Sequence, residues 1–545
     1  MKLVTVAEMQ AIEREANTAG LTYEQMMENA GRGLAEVVSE AYGPLKEGGI
    51  LGLVGSGNNG GDTLVALAQL AEQGWMASAY LVRPRPEEDP LIGRLEQAGG
   101  KLYQVEAESG FSQLKALLSN HAIWLDGVLG TGFRLPLKPE VAQVLDTARK
   151  TIDRMEIPPQ VIAVDCPSGV DCDSGEAAPE TIPANLTVTM AGVKRGLLKF
   201  PAFELVGNLK VVGIGLPEDG MGLAAWQAVR RIVPGPDRVR QILPERPLDA
   251  HKGTFGTALI VAGSVNYTGA ALLAGEAAYR IGAGLVTMAV PTPLHGILAG
   301  HFPEATWLLL PHEMGVIAAD AVDVLRKNLE RVTALLVGPG FGMETTTAEF
   351  LSRLITGGSR SGRGGMGFIR SGRDQAKADQ SGLPPLVIDA DGLKLLTQVE
   401  DWRHHLPAPA VLTPHPGEMA LLSGLSKDEV QADRVGVAER FSQEWGHVVV
   451  LKGAFTVVAA PDGQVAVIPV ATPALARAGT GDVLAGLIAG LRAQGVEAFP
   501  AAMAGAWIHA QAGLLAARSI GNTVSVLAGD VLRSVADALS DLQAS

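Results

Sequence analysis

The stretch Ala478-Gly479-Thr480-Gly481-Asp482-Val483-Leu484-Ala485-Gly486 sets the tightest condition on how this chain folds. Its glycines run straight into Val483, Leu484, Leu487, Ile488 and Leu491, whose spacing predicts a helix that begins at the turn. A Gly-rich turn at a helix start leaves backbone N–H groups free beside the positive end of the helix dipole, and together these hold a phosphate. An aspartate there can take the proton from a hydroxyl that attacks a phosphoryl group. The plainer reading of Asp482 is an N-cap, the usual role of an aspartate before an apolar helix. With 66 glycines and few aromatic residues, the chain suits an α/β protein with many tight strand-to-helix turns.

A chain of 545 residues exceeds a single core, so two or three domains are expected. Its net charge of -14 argues against nucleic acid or an anionic membrane surface as the main partner. Any phosphate site must then be local, built from backbone amides and a few basic side chains. Cys166 and Cys172 are the only cysteines, which excludes a disulfide framework and a four-cysteine zinc site. The N-terminus leads into a charged amphipathic helix rather than a signal peptide, and no apolar run has transmembrane length. A soluble, cytoplasmic protein is expected.

In the first half, residues 8–42 read as helix and residues 50–54 as a buried strand. The strand enters Gly55-Ser56-Gly57-Asn58-Asn59-Gly60-Gly61-Asp62, with a helix expected over 63–73. Gly55, Gly57 and Gly60 satisfy G-x-G-x-x-G, a spacing that lets backbone approach a pyrophosphate. After the next strand, at 77–82, come Arg83 and Arg85 instead of the acidic residue that grips an NAD ribose; arginines suit a 2′-phosphate. Three further strands carry polar residues: two end at Asp126 and Asp165, with Ser168 after the second, and the third is Leu186-Thr187-Val188-Thr189-Met190. Ligands of open parallel sheets bind at the carboxyl ends of strands, where Asn59, Asp126, Asp165 and Ser168 would converge. Each alone is equally a turn residue.

The Asn-Asn-Gly-Gly-Asp segment, Asp126 with Gly130-Thr131-Gly132, and Val164-Asp165-Cys166-Pro167-Ser168-Gly169-Val170-Asp171 resemble the NAD(P)H-hydrate epimerase family over residues 3–216. Met27-Glu28-Asn29-Ala30-Gly31 is similar to the same family. The resemblance implies that Asn58, Asn59, Gly60, Gly61 and Asp62 line the substrate. It implies the same for Gly130, Thr131, Gly132, Phe133, Arg134, Leu135 and Pro136. Asp165 would contact substrate and act as acid or base, and Asn59, Asp126 and Ser168 would bind potassium. Oxygen ligands of this kind suit such a cation better than zinc. Thr63 departs from the family glycine and would narrow the approach to the ligand.

The second half is another α/β series with no Walker P-loop, in which strands are expected near 257–262, 285–290, 333–337, 386–389, 409–412 and 447–451 and a hairpin over 455–469. Gly338-Pro339-Gly340, Asp389, Thr413-Pro414-His415-Pro416-Gly417-Glu418 and Lys452-Gly453-Ala454-Phe455-Thr456 follow four of those strands. Singly these read as a turn, a solvated lysine or a rigid loop. Together with Gly479-Thr480-Gly481-Asp482 they resemble the ribokinase-like fold, and more closely the ADP-dependent NAD(P)H-hydrate dehydratases, over residues 245–540. The resemblance implies that Lys452, Gly453, Ala454, Phe455, Thr456, Gly479, Thr480 and Gly481 hold the nucleotide. Gly340, His415, Asp482 and a small residue on the early helix, Ala277, would face the hydrated nicotinamide, with Asp482 catalytic. Arg477 would lie near the phosphates.

The expected architecture is therefore α/β throughout: a Rossmann-like α/β/α domain over 1–222, a linker and entry helix over 223–248, and a ribokinase-like domain over 249–545. A Gly/Ser/Arg-rich insertion is expected at 357–382. The implied activity is repair of hydrated NADH and NADPH. The first domain would equilibrate the R and S hydrates with the help of K+. The second would dehydrate the S hydrate with ADP and Mg2+, giving AMP and phosphate, and a homo-oligomer is expected. Two rivals stand beside this reading: a ribokinase-like small-molecule kinase fused to a dinucleotide-binding regulator, and a binding protein, since the first domain's relatives include a lipoprotein-binding protein.

Overall fold

A computed structural model describes residues 1–86, 88–105, 111–217, 220–357 and 382–544. The expected insertion at 357–382 falls, apart from its two end residues, outside the described residues. The chain divides into two compact units, Met1–Arg231 and Ile232–Ser545. The first unit extends to Arg231 because the proline-rich stretch folds back on it. The short helix Ala224–Ala228 donates its Ala224 and Ala225 amides to the Glu15 carboxylate at 2.8 and 2.7 Å.

The single helix expected over 8–42 is two helices, Val6–Thr18 and Tyr23–Tyr42. Gly20, at φ +106°, takes the chain out of helical geometry, and each helix has its own capping box, Thr5 with Glu8 and Thr22 with Gln25. The first unit's sheet is parallel throughout. Its strands lie in the order Lys101–Gln104, Ala77–Leu81, Ile50–Val54, Ile123–Gly127, Gln160–Val164, Leu186–Met190, Asn208–Val212. Alternate residues feed two cores. Leu51, Leu53 and Trp124 enter one face, and Ile50, Val54, Ile123 and Leu125 the other. Burial on both faces is why these strands read as unbroken apolar runs. The chain leaves Ile50–Val54 towards one edge and returns beside it as Ile123–Gly127, which makes the junction of these two strands the topological switch point.

The second unit repeats this logic. Its parallel strands run Val448–Leu451, Val411–Leu412, Leu386–Ile388, Ala334–Val337, Thr257–Val261, Leu285–Pro291, Thr306–Leu310. An antiparallel hairpin, Val457–Ala459 with Val465–Val467, extends the Val448–Leu451 side. The strand Thr306–Leu310 is absent from the sequence expectation. It lies against Leu285–Pro291 alone in the parallel series and its side chains are largely half-exposed, so no buried run announces it. Helices Thr268–Arg280 and Thr480–Ala493 pack backbone to backbone: a Cβ at Gly486 would lie 2.2 Å from the Ala274 carbonyl oxygen. That close crossing sets the start of Thr480–Ala493 at the strand ends.

Candidate active sites

Asn58–Glu72 is the helix that shapes the first site, and it starts five residues earlier than the apolar pattern indicated. The Asn-Asn-Gly-Gly-Asp segment is thus its first turn. A Cβ at Gly60 would lie 2.0 Å from the Gly55 carbonyl oxygen, and one at Gly55 would lie 2.0 Å from that of Val128, so only glycine lets this turn sit against the sheet. Beside it opens a cavity of about 600 Å3. Asn58, Asn59, Asp62, Asp165 and the run from Gly130 through Phe133 line it; Arg134, Leu135 and Pro136 do not, because the chain turns away along the exposed rim. Gly60 and Gly61 form the close-packed turn behind the wall.

Asp165 sits at φ +64°, an unusual conformation that bends the strand end towards the cavity. Its Oδ1 accepts hydrogen bonds from the Thr189 hydroxyl at 3.1 Å and the Met190 amide at 3.0 Å, and from the Lys194 ammonium. Lys194 is only 1% exposed and also donates to Thr189 Oγ1 and the Met190 carbonyl. Sequence reasoning missed this lysine, since the two-residue strand Val193–Lys194 carries no recognisable motif. Asp62, on the same cavity, has no such support. Burial first, then the Asp165 charge, push its carboxyl well above the usual range. Glu13, from the first helix, is likewise raised by burial.

Asp126 and Ser168 meet under the wall. Ser168 donates its hydroxyl to Asp126 Oδ1 at 2.5 Å and its amide to Oδ2 at 2.8 Å, while the Leu129 amide donates to Ser168 Oγ at 2.8 Å. Burial raises the Asp126 carboxyl against these bonds. Asn59 donates Nδ2 to the Leu129 carbonyl, but its Oδ1 is buried without a partner. Of the two arginines expected near a phosphate, Arg83 lines the cavity, but two other expectations fail here. Arg85 is not free for a phosphate: it pairs with Asp89 at 2.7 Å and donates to the Gly55 and Gly57 carbonyls, clamping the glycine turn. Thr63 does not narrow the ligand approach. Its hydroxyl returns to the Asn59 carbonyl at 2.8 Å, and its side chain is buried on the sheet side, near the positions a Cβ at Gly52 or Gly127 would take.

In the second unit, Gly479 at φ +89° turns the chain into Thr480–Ala493, and Thr480 Oγ1 pins the turn to the Leu475 and Arg477 carbonyls at 2.9 Å each. A Cβ at Gly481 would stand 3.4 Å from Lys452 Nζ and 3.9 Å from Asp389 Oδ2, so the turn lies over both. Lys452 donates to Asp389 Oδ1 at 2.6 Å and approaches Glu418 at 3.7 Å. Asp389 Oδ2 is buried with no partner. Asp482 completes the cluster. It makes no cap bond, and burial, followed by the Asp389 charge, raises its pKa to about 7, with Lys452 opposing. His415 caps Pro416–Ser423 by accepting from the Gly417 and Glu418 amides at Nδ1; burial lowers its pKa and leaves the neutral ring with its proton on Nε2.

Around Lys452, Thr456 donates to the Gly453 carbonyl, and Phe455, at φ +53°, has its amide bonded to the Val470 carbonyl. These bonds hold the loop carrying Gly453 and Ala454 against the hairpin. Arg477 donates to the Val524 carbonyl, which ties it away from the turn it precedes. Ala277 is not a ligand position: it is fully buried, and a Cβ at Gly486 would lie 2.8 Å from it. The small residue that meets Gly340 is Ala270, two helical turns earlier, whose Cβ would be 2.8 Å from a Cβ at Gly340. His509 was also missed. It is buried with its Nε2 unpartnered, and burial lowers its pKa to about 4, but it sits mid-helix with no motif around it.

Fold and sites define a two-unit α/β enzyme with a polar site at the strand ends of each unit. Residues 23–196 match the family described as YjeF-related protein N-terminus, and residues 258–535 match that of NAD(P)H-hydrate dehydratase. A bifunctional NAD(P)H-hydrate repair enzyme from Moorella thermoacetica is 36% identical over 100% of this chain and 97% of its own length, and one from Escherichia coli is 32% identical over 96% and 91%. The chain belongs to the family of bifunctional NAD(P)H-hydrate repair enzymes, with an epimerase and a dehydratase domain. A Bacillus subtilis ADP/ATP-dependent NAD(P)H-hydrate dehydratase, co-crystallised with ATP and Mg2+, aligns with 56% of this chain and 97% of its own at 29% identity and a TM-score of 0.46.

Proposed function

We propose that the first unit interconverts the R and S hydrates of NADH and NADPH, and that the second uses ADP to return the S hydrate to the reduced cofactor. The observation that carries the second half is Asp482, with a pKa of about 7, at the glycine turn above Lys452 and Asp389. A base poised near neutrality suits removal of the proton from the substrate hydroxyl. That oxygen attacks the β-phosphorus of ADP and AMP departs. Loss of phosphate from the hydroxyl-bearing carbon, with loss of a proton from its neighbour, then restores the ring double bond. The amides of the Gly479–Gly481 turn would steady the transferring charge, with Lys452 beside them. Asp389, through its unpartnered Oδ2, suits a Mg2+ ion shared with the nucleotide phosphates; when bound, the ion neutralises their charge.

In the first unit, Asp165 would handle the substrate proton, with Lys194 bonded to its carboxylate and fixing its position. The unpartnered Asn59 Oδ1 near the buried Asp126–Ser168 pair fits a potassium ion, whose charge would offset that of Asp126. No helix among the described residues is long and apolar enough to cross a membrane. The cytoplasmic setting and the homo-oligomer expected above are part of this reading.

The experiment is to supply mixed R and S hydrates of NADH with ADP, Mg2+ and K+ and follow dihydronicotinamide absorbance. Recovery of nearly all the cofactor is expected. Recovery that stops at the S fraction, beyond slow spontaneous epimerisation, would refute the first activity. Accumulation of a stable phosphorylated product would replace the second with a kinase.

A further inference from the structure

Two aspartates face the same cavity of the first unit in opposite circumstances. Asp165 has three donors on one oxygen, one of them a buried ammonium. Asp62 is 8% exposed, lines the cavity, and has no hydrogen-bond partner among the described residues. A buried carboxylate without a donor is costly, whereas a buried carboxylic acid is tolerated and carries a proton to give. Two carboxyls on one cavity, one rich in donors and one without any, suit the separate roles of base and acid. We propose that Asp62 is the proton donor of this site and Asp165 its base, an inference that rests on the epimerase reading of the unit.

The hydrate hydroxyl sits on the carbon next to the ring nitrogen. Asp62 gives its proton to that hydroxyl as the carbon–oxygen bond breaks, the nitrogen lone pair closes to an iminium, and water leaves. A water adds to the opposite face and Asp165 takes its proton. The carbon has inverted, one water has left and one has entered, and solvent returns the proton from Asp165 to Asp62. Burial is the largest influence on Asp62, and of the charges that face it Asp165 and Glu13 favour the neutral acid while Lys194 opposes it. The acid is therefore lost as pH rises through its elevated pKa, and activity should decline on the alkaline side.

The test uses the full chain, without ADP, and pure R hydrate. Asp62→Asn should lower kcat for epimerisation by about 10^2–10^4 with KM little changed, and should abolish the alkaline limb that the wild type shows. In H2(18)O the wild type should place one labelled oxygen in the hydrate per inversion. The variant should fold at least as stably as the wild type at neutral pH, because it removes a carboxyl whose ionisation the fold opposes. A variant with wild-type kcat, one altered only in KM, a wild type lacking the alkaline limb, or inversion without label would each overturn the assignment. A wild type that does not interconvert the hydrates at all would instead overturn the epimerase reading beneath it.

Discussion

Each unit sets an aspartate at a strand end or glycine turn near a lysine, buried in the first unit and partly exposed in the second, and the two arrangements serve opposite ends. In the first unit Lys194 bonds directly to Asp165, the candidate base, alongside the Thr189 and Met190 donors. In the second, Lys452 is committed to Asp389 and Glu418, and the candidate base Asp482 is left with burial and like charges that bring it to about 7. A direct ion pair ties the candidate base to one fixed partner. An indirect one gives a base whose protonation changes near neutral pH. The lesson is that a lysine's bonding partner, more than its presence, sets what the aspartate can do.

The sharpest way to break this comparison is to remove the second base. Asp482→Asn should slow dehydration of pure S hydrate by about 10^2–10^4, read as return of dihydronicotinamide absorbance, while R–S interconversion is unchanged. Lys194→Met attacks the first pair. It leaves a buried carboxylate unpaired and should cost about 3–5 kcal/mol in urea unfolding of the first unit, with epimerisation lost and S-hydrate dehydration kept. Adding Asp165→Leu should restore much of that stability and none of the activity.

A smaller effect is expected in pH dependence. Asp482 is protonated below its pKa, so kcat for dehydration should fall about tenfold per unit as pH drops below about 7. Lys452→Met removes the charge that lowers Asp482 and should move this limb to higher pH. Smallest of all, Thr63→Gly should leave epimerisation within about twofold of wild type and cost about 1–2 kcal/mol of stability, because Thr63 packs on the sheet and does not line the cavity. A large kinetic effect would mean that Thr63 reaches the ligand.

The central strands and their turns were legible in the sequence because they are buried on both faces and read as continuous apolar runs, whereas the partly exposed outer strands Lys101–Gln104, Asn208–Val212 and Thr306–Leu310 were not. Glycine turns and strand-end acids mark where each sheet opens. Boundaries were less legible. The helix Asn58–Glu72 begins inside its glycine motif, since tertiary contact with Gly55 and Val128 stabilises a turn that propensity disfavours. Arg85 and Arg477 looked free in sequence, yet both are bound to backbone carbonyls far along the chain.

Sequence alone determined the α/β class and which turns and carboxylates stand at the strand ends, because those features depend on local pattern and spacing; the repair activity was implied by the resemblance of those motifs to known families. Tertiary structure alone decided what state those carboxylates are in. Lys194, Asp389, Glu13 and Asp62 become neighbours of the candidate bases or of one another only when distant segments meet, and the charge of a buried group is set by what surrounds it in space.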